Sequence, residues 1–344
     1  MRAMKGRAAG ILLAALVASA GPPEKSKPPA PPGLGLAAEL EKDLPAEAER
    51  KVMGQLRSSG VSMFALPVTW PAAEPSPRKY DLASVIRAAR LLRQSGASVH
   101  LDLPLVVGRE KTVAADLAQV AFDDAKLSIR LGQLFDALTP ALLDCSTLSL
   151  GFEADVYFYD KQEELNAYRR LLDGAVAYLQ KKAPDLAVGV TTLAPTESPS
   201  PVVAAMIHQR SPVLFYVYAP FERKRPWVHR PPSAIEGDWK QLLQGAGGRP
   251  IAFPEVSYSS SPENESSPER QAEFVRRFRR LVAGTDGRSL VFARYVAWRD
   301  PKRAPEESSS NAEVRRGAAF FAHRGLQTWK GEAKPAWREW LKGK

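Results

Sequence analysis

The sequence predicts an α/β fold, a single (β/α)8 TIM barrel, and three observations lead there. Short β-rich runs alternate with stretches of helical period from Gly33 onward, the pattern of parallel strands joined by crossover helices. The runs number eight, and about 310 residues without a compositional break suit one barrel with some long loops. The rival, an open doubly wound sheet, needs a Gly-rich phosphate turn after an early strand. The one Gly-rich stretch there, at Gly33 and Gly35, lacks the third glycine and the helix start.

The N-terminus reads as an address. Arg2, Lys5 and Arg7 precede an apolar run from Ala8 to Ala20, and Ala18-Ser19-Ala20 offers a small-x-small cleavage site before Gly21. Residues 1–20 are therefore expected to be a signal peptide, and the protein to be secreted or periplasmic. The run is too short for a comfortable membrane span, and no later segment is long and apolar enough for a stable one. Residues 21–32 are Pro- and Lys-rich and are expected to form an extended spacer, leaving 33–344 for the barrel.

The eight units follow in order. The first strand, Gly33 to Ala38, is weak, with a helix from Pro45 to Arg57. Val61 to Val68 is followed by a helix from Leu82 to Gln94, and Ser98 to Leu105 by one from Asp123 to Leu138. Thr147 to Glu153 precedes the long helix Gln162 to Lys182, and Ala187 to Leu193 precedes Val202 to Gln209. Val213 to Tyr218 leads to Ile235 to Leu243, Pro250 to Val256 to Glu269 to Ala283, and Ser289 to Ala297 to Asn311 to Ala322.

Composition narrows the chemistry. The chain of 344 residues is 44% hydrophobic and 25% charged, which excludes disordered, collagen-like and disulfide-stapled classes. Its net charge of +10 is spread along the chain without a base-reading module, so it reads as a solvated basic surface and no nucleic-acid partner is expected. The cluster Arg276-Arg277-x-Arg279-Arg280 falls on an amphipathic helix with Phe274, Phe278 and Leu281 as its stripe, which makes the arginines its solvent face. Cys145 stands alone, permitting no intramolecular disulfide, and reads as a small buried hydrophobe. No Gly-x-Ser-x-Gly elbow is present, and no His or Cys is placed to complete a metal shell, so no cofactor or metal is assigned. The oligomeric state is left open.

Barrels carry their chemistry at the C-terminal ends of strands. Glu153 closes the fourth run and Glu255 the seventh, 102 positions apart, which sets them across the barrel mouth. A strand-end acid on its own often only solvates the end or pairs with a nearby Arg. Two facing acids supply what glycosidic cleavage needs: a proton for the leaving oxygen, and an anion to attack or stabilise the sugar cation. His100 and Asp102 share a face of the third strand and form a polar pair for the barrel interior, with Asp102 the nearer to the mouth. Trp70 and Trp298, after the second and eighth strands, offer flat rings for sugar stacking. Tyr157, Phe158 and Tyr159 make the loop after the fourth strand aromatic, and the Ser-rich stretch around Glu263 to Glu269 is expected to be a mobile loop gating the cleft. Arg303 to Ser310 is a second polar loop.

Four segments resemble glycoside hydrolase clan A. Leu148-Ser-Leu-Gly-Phe-Glu-Ala-Asp155 resembles its Gly-Asn-Glu-x-Asp acid/base motif, and Pro250-Ile-Ala-Phe-Pro-Glu-Val-Ser-Tyr258 is similar to its Ile-Thr-Glu-x-Gly-Tyr nucleophile strand. Trp70-Pro-Ala-Ala-Glu-Pro…Tyr-Asp81 resembles the turn after strand two, and Gly325-Leu-Gln-Thr-Trp-Lys-Gly-Glu-Ala-Lys-Pro-Ala336 is similar to the ending of arabinogalactan endo-galactosidases and related branches. The resemblance implies a retaining β-glycosidase acting on an oligosaccharide or polysaccharide, with Glu153 as acid/base and Glu255 as nucleophile. It further implies a tyrosine on strand six, Tyr218, hydrogen-bonded to the nucleophile, and sugar contacts from Asp155 and Tyr258. The sequence departs from the motif at Phe152, where the clan has an asparagine that holds the sugar 2-hydroxyl. That departure keeps open a barrel that binds a glycan or cell-wall component without cutting it.

Overall fold

The computed structural model describes residues 30–37, 46–302 and 309–343. The expected signal peptide, nearly all of the spacer and most of the loop 303–310 lie outside them. Eight strand positions form the barrel: β1 (Gly33–Leu36), β2 (Met63–Pro67), β3 (Ser98–Asp102), β4 (Thr147–Ser149), β5 (two segments, Ala187–Gly189 and Thr191–Leu193), β6 (Leu214–Tyr218), β7 (Ile251–Val256) and β8 (Leu290–Tyr295). All the pairings are parallel. β1 lies between β2 and β8, with Gly35 opposite Met63 and Gly33 opposite Phe292. The first half of β5 pairs with β4 and the second half with β6, so the ends of the nine-segment sheet meet at Val190 and the barrel is nearly closed.

The outer layer is α1 (Ala46–Ser58), α2 (Ala83–Gln94), α3 (Ala125–Leu142), α4 (Gln162–Lys182), α5 (Pro201–His208), α6 (Ala234–Gly245), α7 (Pro268–Gly284) and α8 (Ala312–Ala322), closed by α9 (Pro335–Lys342). Side-chain caps start several of them. Asp124, Ser200, Ser267 and Asn311 accept backbone N–H bonds in the first turns of α3, α5, α7 and α8, and Pro stands first in α5 and α7. α7 buries Phe274, Val275 and Phe278 completely, each contributing about 2 kcal/mol.

Two apolar clusters divide the interior. Met63, Val213, Phe215, Ala252 and Phe292, drawn from strands around the barrel, fill its axis, while the larger cluster lies between strands and helices. The weak first strand suits this axis. A Cβ on Gly35 would lie 2.6 Å from Met63 Sδ and 2.9 Å from Arg294 Cβ, so only glycine leaves those side chains their space.

Four expectations are corrected here. β4 ends at Ser149, four residues early, because Phe152 turns away to exchange backbone hydrogen bonds with Val106 and Gly108 of the small hairpin 106–111. The aromatic stretch after it is no loop but a short helix, Ala154–Asp160. Arg279 is buried, donating to the Trp340 carbonyl of α9 with its guanidinium over that ring, while Arg277 and Arg280 pair with Glu236 at the surface. The Ser-rich stretch expected to gate the cleft is packed down: Ser259, Ser260 and Ser261 are buried, and the Asn264 amide donates to the carbonyls of Trp227 and Arg316.

Candidate active site

Glu153 and Glu255 wall the same cavity, of about 500 Å³, at the C-terminal end of the barrel. Glu153 caps the helix Ala154–Asp160 with a left-handed backbone, φ 52°, a conformation uncommon outside glycine and frequent at functional sites. One of its carboxyl oxygens lies beside Gly108 of the 106–111 hairpin, 3.9 Å from where a Cβ would stand there. Glu255 lies inside β7 opposite Val217 of β6. Its Oε1 accepts a charge-assisted bond of 2.6 Å from Arg324, the second residue after α8. The Arg324 guanidinium is itself held 4.9 Å from the Phe321 ring centroid.

The two acids differ electrostatically. Burial, then the nearby charge of Glu255, then that of Asp155 push the Glu153 carboxyl up to about 7, against a smaller opposing pull from Arg324. Glu153 thereby keeps its proton up to about pH 7, while Glu255 is ion-paired. A carboxylic acid and a carboxylate sharing one cavity is the division of labour that acid-assisted displacement requires.

A further buried acid lines the cavity. Glu197, on the loop after β5, walls the cavity with its side chain 7% exposed. Burial pushes its carboxyl up to about 8. The same cavity is lined by Phe221 and Trp227 from the hairpin after β6, with Phe320 and Phe321 from α8. Phe221 and Phe320 meet edge to face at 5.0 Å, and Trp227 lies 5.5 Å from Phe321, which remains 40% exposed. This wall offers apolar ring faces beside hydrogen-bonding acids.

The other residues singled out from sequence do not wall this cavity. Tyr218 is corrected by strand parity: Phe215 faces the axis and Val217 the cavity, so Tyr218 points outward and donates to Asp238 of α6 at 2.6 Å. Trp70 is fully buried, its Nε1 donating to Glu74 Oε2 at 2.7 Å, and its ring is not free for sugar. Tyr157 packs against Phe122 and Phe158 and donates to Glu164. Tyr258 stacks on His229 at 3.9 Å and donates to the Arg230 carbonyl. Trp298 is buried, with the Arg299 guanidinium over its ring. Asp102 does face inward, but it is engaged by His100 at 2.8 Å, and the other His100 nitrogen meets Thr147; the His100 ring packs on Phe215 and Phe292. Asp155 is fully buried and acts as a clamp. One of its oxygens accepts from the Leu193 N–H and the other from Ser198, which pins the loop that carries Glu197.

Sequence reasoning missed Glu197, Trp227, Phe321 and Arg324. The segment Phe221-Glu-Arg-Lys-Arg-Pro-Trp227, directly after β6, was the available signal for a wall at the mouth. Glu197 sits in the irregular run Ala194-Pro-Thr-Glu-Ser-Pro-Ser-Pro201, which has no period to read.

No family model matches the sequence, and no curated protein is similar to it in sequence. The fold, however, is shared with solved glycoside hydrolases. A GH5_18 protein from Streptomyces cattleya, solved with GlcNAc, superposes with a TM-score of 0.70 at 15% identity, over 92% of this chain and 80% of that one. An exo-β-1,4-mannosidase from Opitutaceae bacterium strain TAV5 gives 0.66 at 13% identity, over 92% and 59% respectively. A family 39 glycoside hydrolase from Bacteroides cellulosilyticus WH2 gives 0.61 at 14% identity, over 91% and 63%. At these identities the likeness is one of architecture: the chain has the (β/α)8 barrel that these glycoside hydrolases are built on.

Proposed function

We propose that this protein is a retaining glycoside hydrolase that cleaves a β-linked glycan by double displacement. The observation that carries the reading is the pairing of Glu153, its carboxyl pushed up to about 7, with the Arg324-bound carboxylate Glu255 in one cavity at the barrel mouth. Glu255 attacks the anomeric carbon while Glu153 gives its proton to the departing glycosidic oxygen, leaving a glycosyl ester on Glu255. Glu153, now ionised, takes a proton from water as that water attacks the same carbon and releases Glu255. Phe321 and Trp227 provide apolar faces for the pyranose rings.

The first substrates to assay are Manβ1-4GlcNAc, the ligand of a Streptomyces cattleya neighbour, and arabinogalactan, to which the C-terminal likeness points. Proton NMR of the first product should show the β anomer before mutarotation, and Glu255→Gln should abolish turnover. An α-anomeric first product, or unchanged turnover in Glu255→Gln, would overturn the reading. Phe152 favours a second reading, a secreted barrel that binds a glycan without cutting it. In that case wild type turns nothing over, and Glu255→Gln binds the glycan as wild type does.

A further inference from the structure

Glu197 has no part in the two-carboxylate chemistry, yet it is built into the same cavity. Its Oε1 accepts from Thr196 Oγ1 at 2.7 Å and lies 3.5 Å from Arg230. Its Oε2 is buried and has no hydrogen-bond partner. An orphaned oxygen on a buried acid is costly, and natural structures keep one where a ligand or water completes it. Nor is the loop around it slack. Asp155 clamps it from below, and the backbone N–H groups of Glu197 and Ser198 both donate to the Ala194 carbonyl.

We propose that Glu197 is a specificity residue whose carboxyl donates a hydrogen bond from Oε2 to an oxygen of the bound sugar. This rests on the glycosidase reading for the substrate class but not on Glu153 or Glu255 for its geometry. The assignment of donor follows from the other oxygen. Oε1 already faces the Thr196 hydroxyl and the Arg230 guanidinium, so the acid proton belongs on Oε2. Burial, with the nearby Asp238 charge, outweighs the opposing Thr196 hydrogen bond and the pull of Arg230 and keeps that proton in place near neutrality. The remaining groups around it are Tyr218 of β6, bonded to Asp238, and Glu153, Glu255, Glu222, Arg223 and Glu313 around the cavity. A neutral donor here selects hydroxyl, ring or acyl oxygens and gives a protonated amino sugar no counter-charge.

The experiment measures kcat and KM for 4-nitrophenyl β-glucoside, β-mannoside, β-galactoside and β-N-acetylglucosaminide between pH 5 and 9, and calorimetric Kd for the same glycosides. E197A should raise KM and Kd about 5- to 100-fold with kcat little changed, and E197Q, whose amide still donates, should recover most of that loss. Wild-type KM should rise above about pH 8, and that rise should vanish in E197Q. If E197A does not fold, Glu197→Met, which removes both oxygens at similar volume, replaces it. A variant that loses thermal stability while KM and Kd stay put overturns the proposal, as does failure of E197Q to rescue. Should wild type bind but not cleave, with binding still dependent on Glu197, the glycosidase reading falls and the proposal stands. If none of the four glycosides binds, both fall.

Discussion

The carboxyl of Glu153 is poised by three neighbours whose effects can be separated. Burial and the charges of Glu255 and Asp155 raise it, and Arg324 pulls the other way. Activity that needs Glu153 protonated is present below its folded value and lost as pH rises through about 7, so kcat/KM for an unactivated glycoside should fall above that pH. Glu153→Gln should remove this limb and lower kcat/KM by about 10²- to 10⁴-fold. A limb that persists unchanged in Glu153→Gln would assign it elsewhere. Arg324→Ala removes the charge-assisted bond to Glu255, worth about 1.5–3 kcal/mol, so kcat/KM should drop about 10- to 150-fold. The same change deletes the positive charge of Arg324 that lowers Glu153, and its alkaline limb should move upward in a pH profile. At this scale the sequence was legible only in part. Glu153 and Glu255 close apolar runs in recognisable sequence surroundings, whereas Tyr218 was misplaced because a run of five buried residues, Leu214 to Tyr218, hides which parity faces the axis.

Among the elements, the short helix Ala154–Asp160 after β4 and the loop after β5 act as one unit through Asp155. Glu153 and Asp155 lie two residues apart, one facing the cavity and the other accepting from Leu193 and Ser198 beneath it. Asp155→Ala would leave the Leu193 N–H and the buried Ser198 hydroxyl without their acceptor and free the loop that carries Glu197. The expected cost is about 2–4 kcal/mol in urea unfolding at unchanged m-value, with KM affected more than kcat. Wild-type stability in this variant would show that the clamp is idle. The eight crossover helices were well read because period and caps mark them, whereas the short helix Ala154–Asp160 and α9 were not. α4 spans Gln162–Lys182 as expected, and α7 runs one residue further at each end than the periodicity indicates. The hairpins 106–111 and 221–229 escaped, since pairings of two or three residues leave no period to detect, and it is these hairpins that shape the mouth.

Across the whole molecule, buried ionisable groups pull stability in two directions. Glu153 and Glu197 are raised from 4.5 to about 7 and about 8, so the native state holds protons that the unfolded chain releases above pH 4.5. Their contribution is complete below that value and is lost as pH rises through 7 and 8. His208 and His229 behave oppositely. Burial lowers both from 6.5 to about 3, and their contribution is complete above 6.5 and lost as pH falls toward 3. Each group adds a slope of about 1.4 kcal/mol per pH unit while its two states differ in protonation. Between about pH 4.5 and 6.5 two falling slopes meet two rising ones and nearly cancel. Calorimetry should therefore find a plateau of Tm in that window and a decline on either side, and Glu197→Gln should flatten the alkaline decline without touching the acid one. A Tm that climbs steadily from pH 5 to pH 8 would mean that the two acids are not protonated in the folded protein. The division of labour between Glu153 and Glu255 would then lose its electrostatic basis.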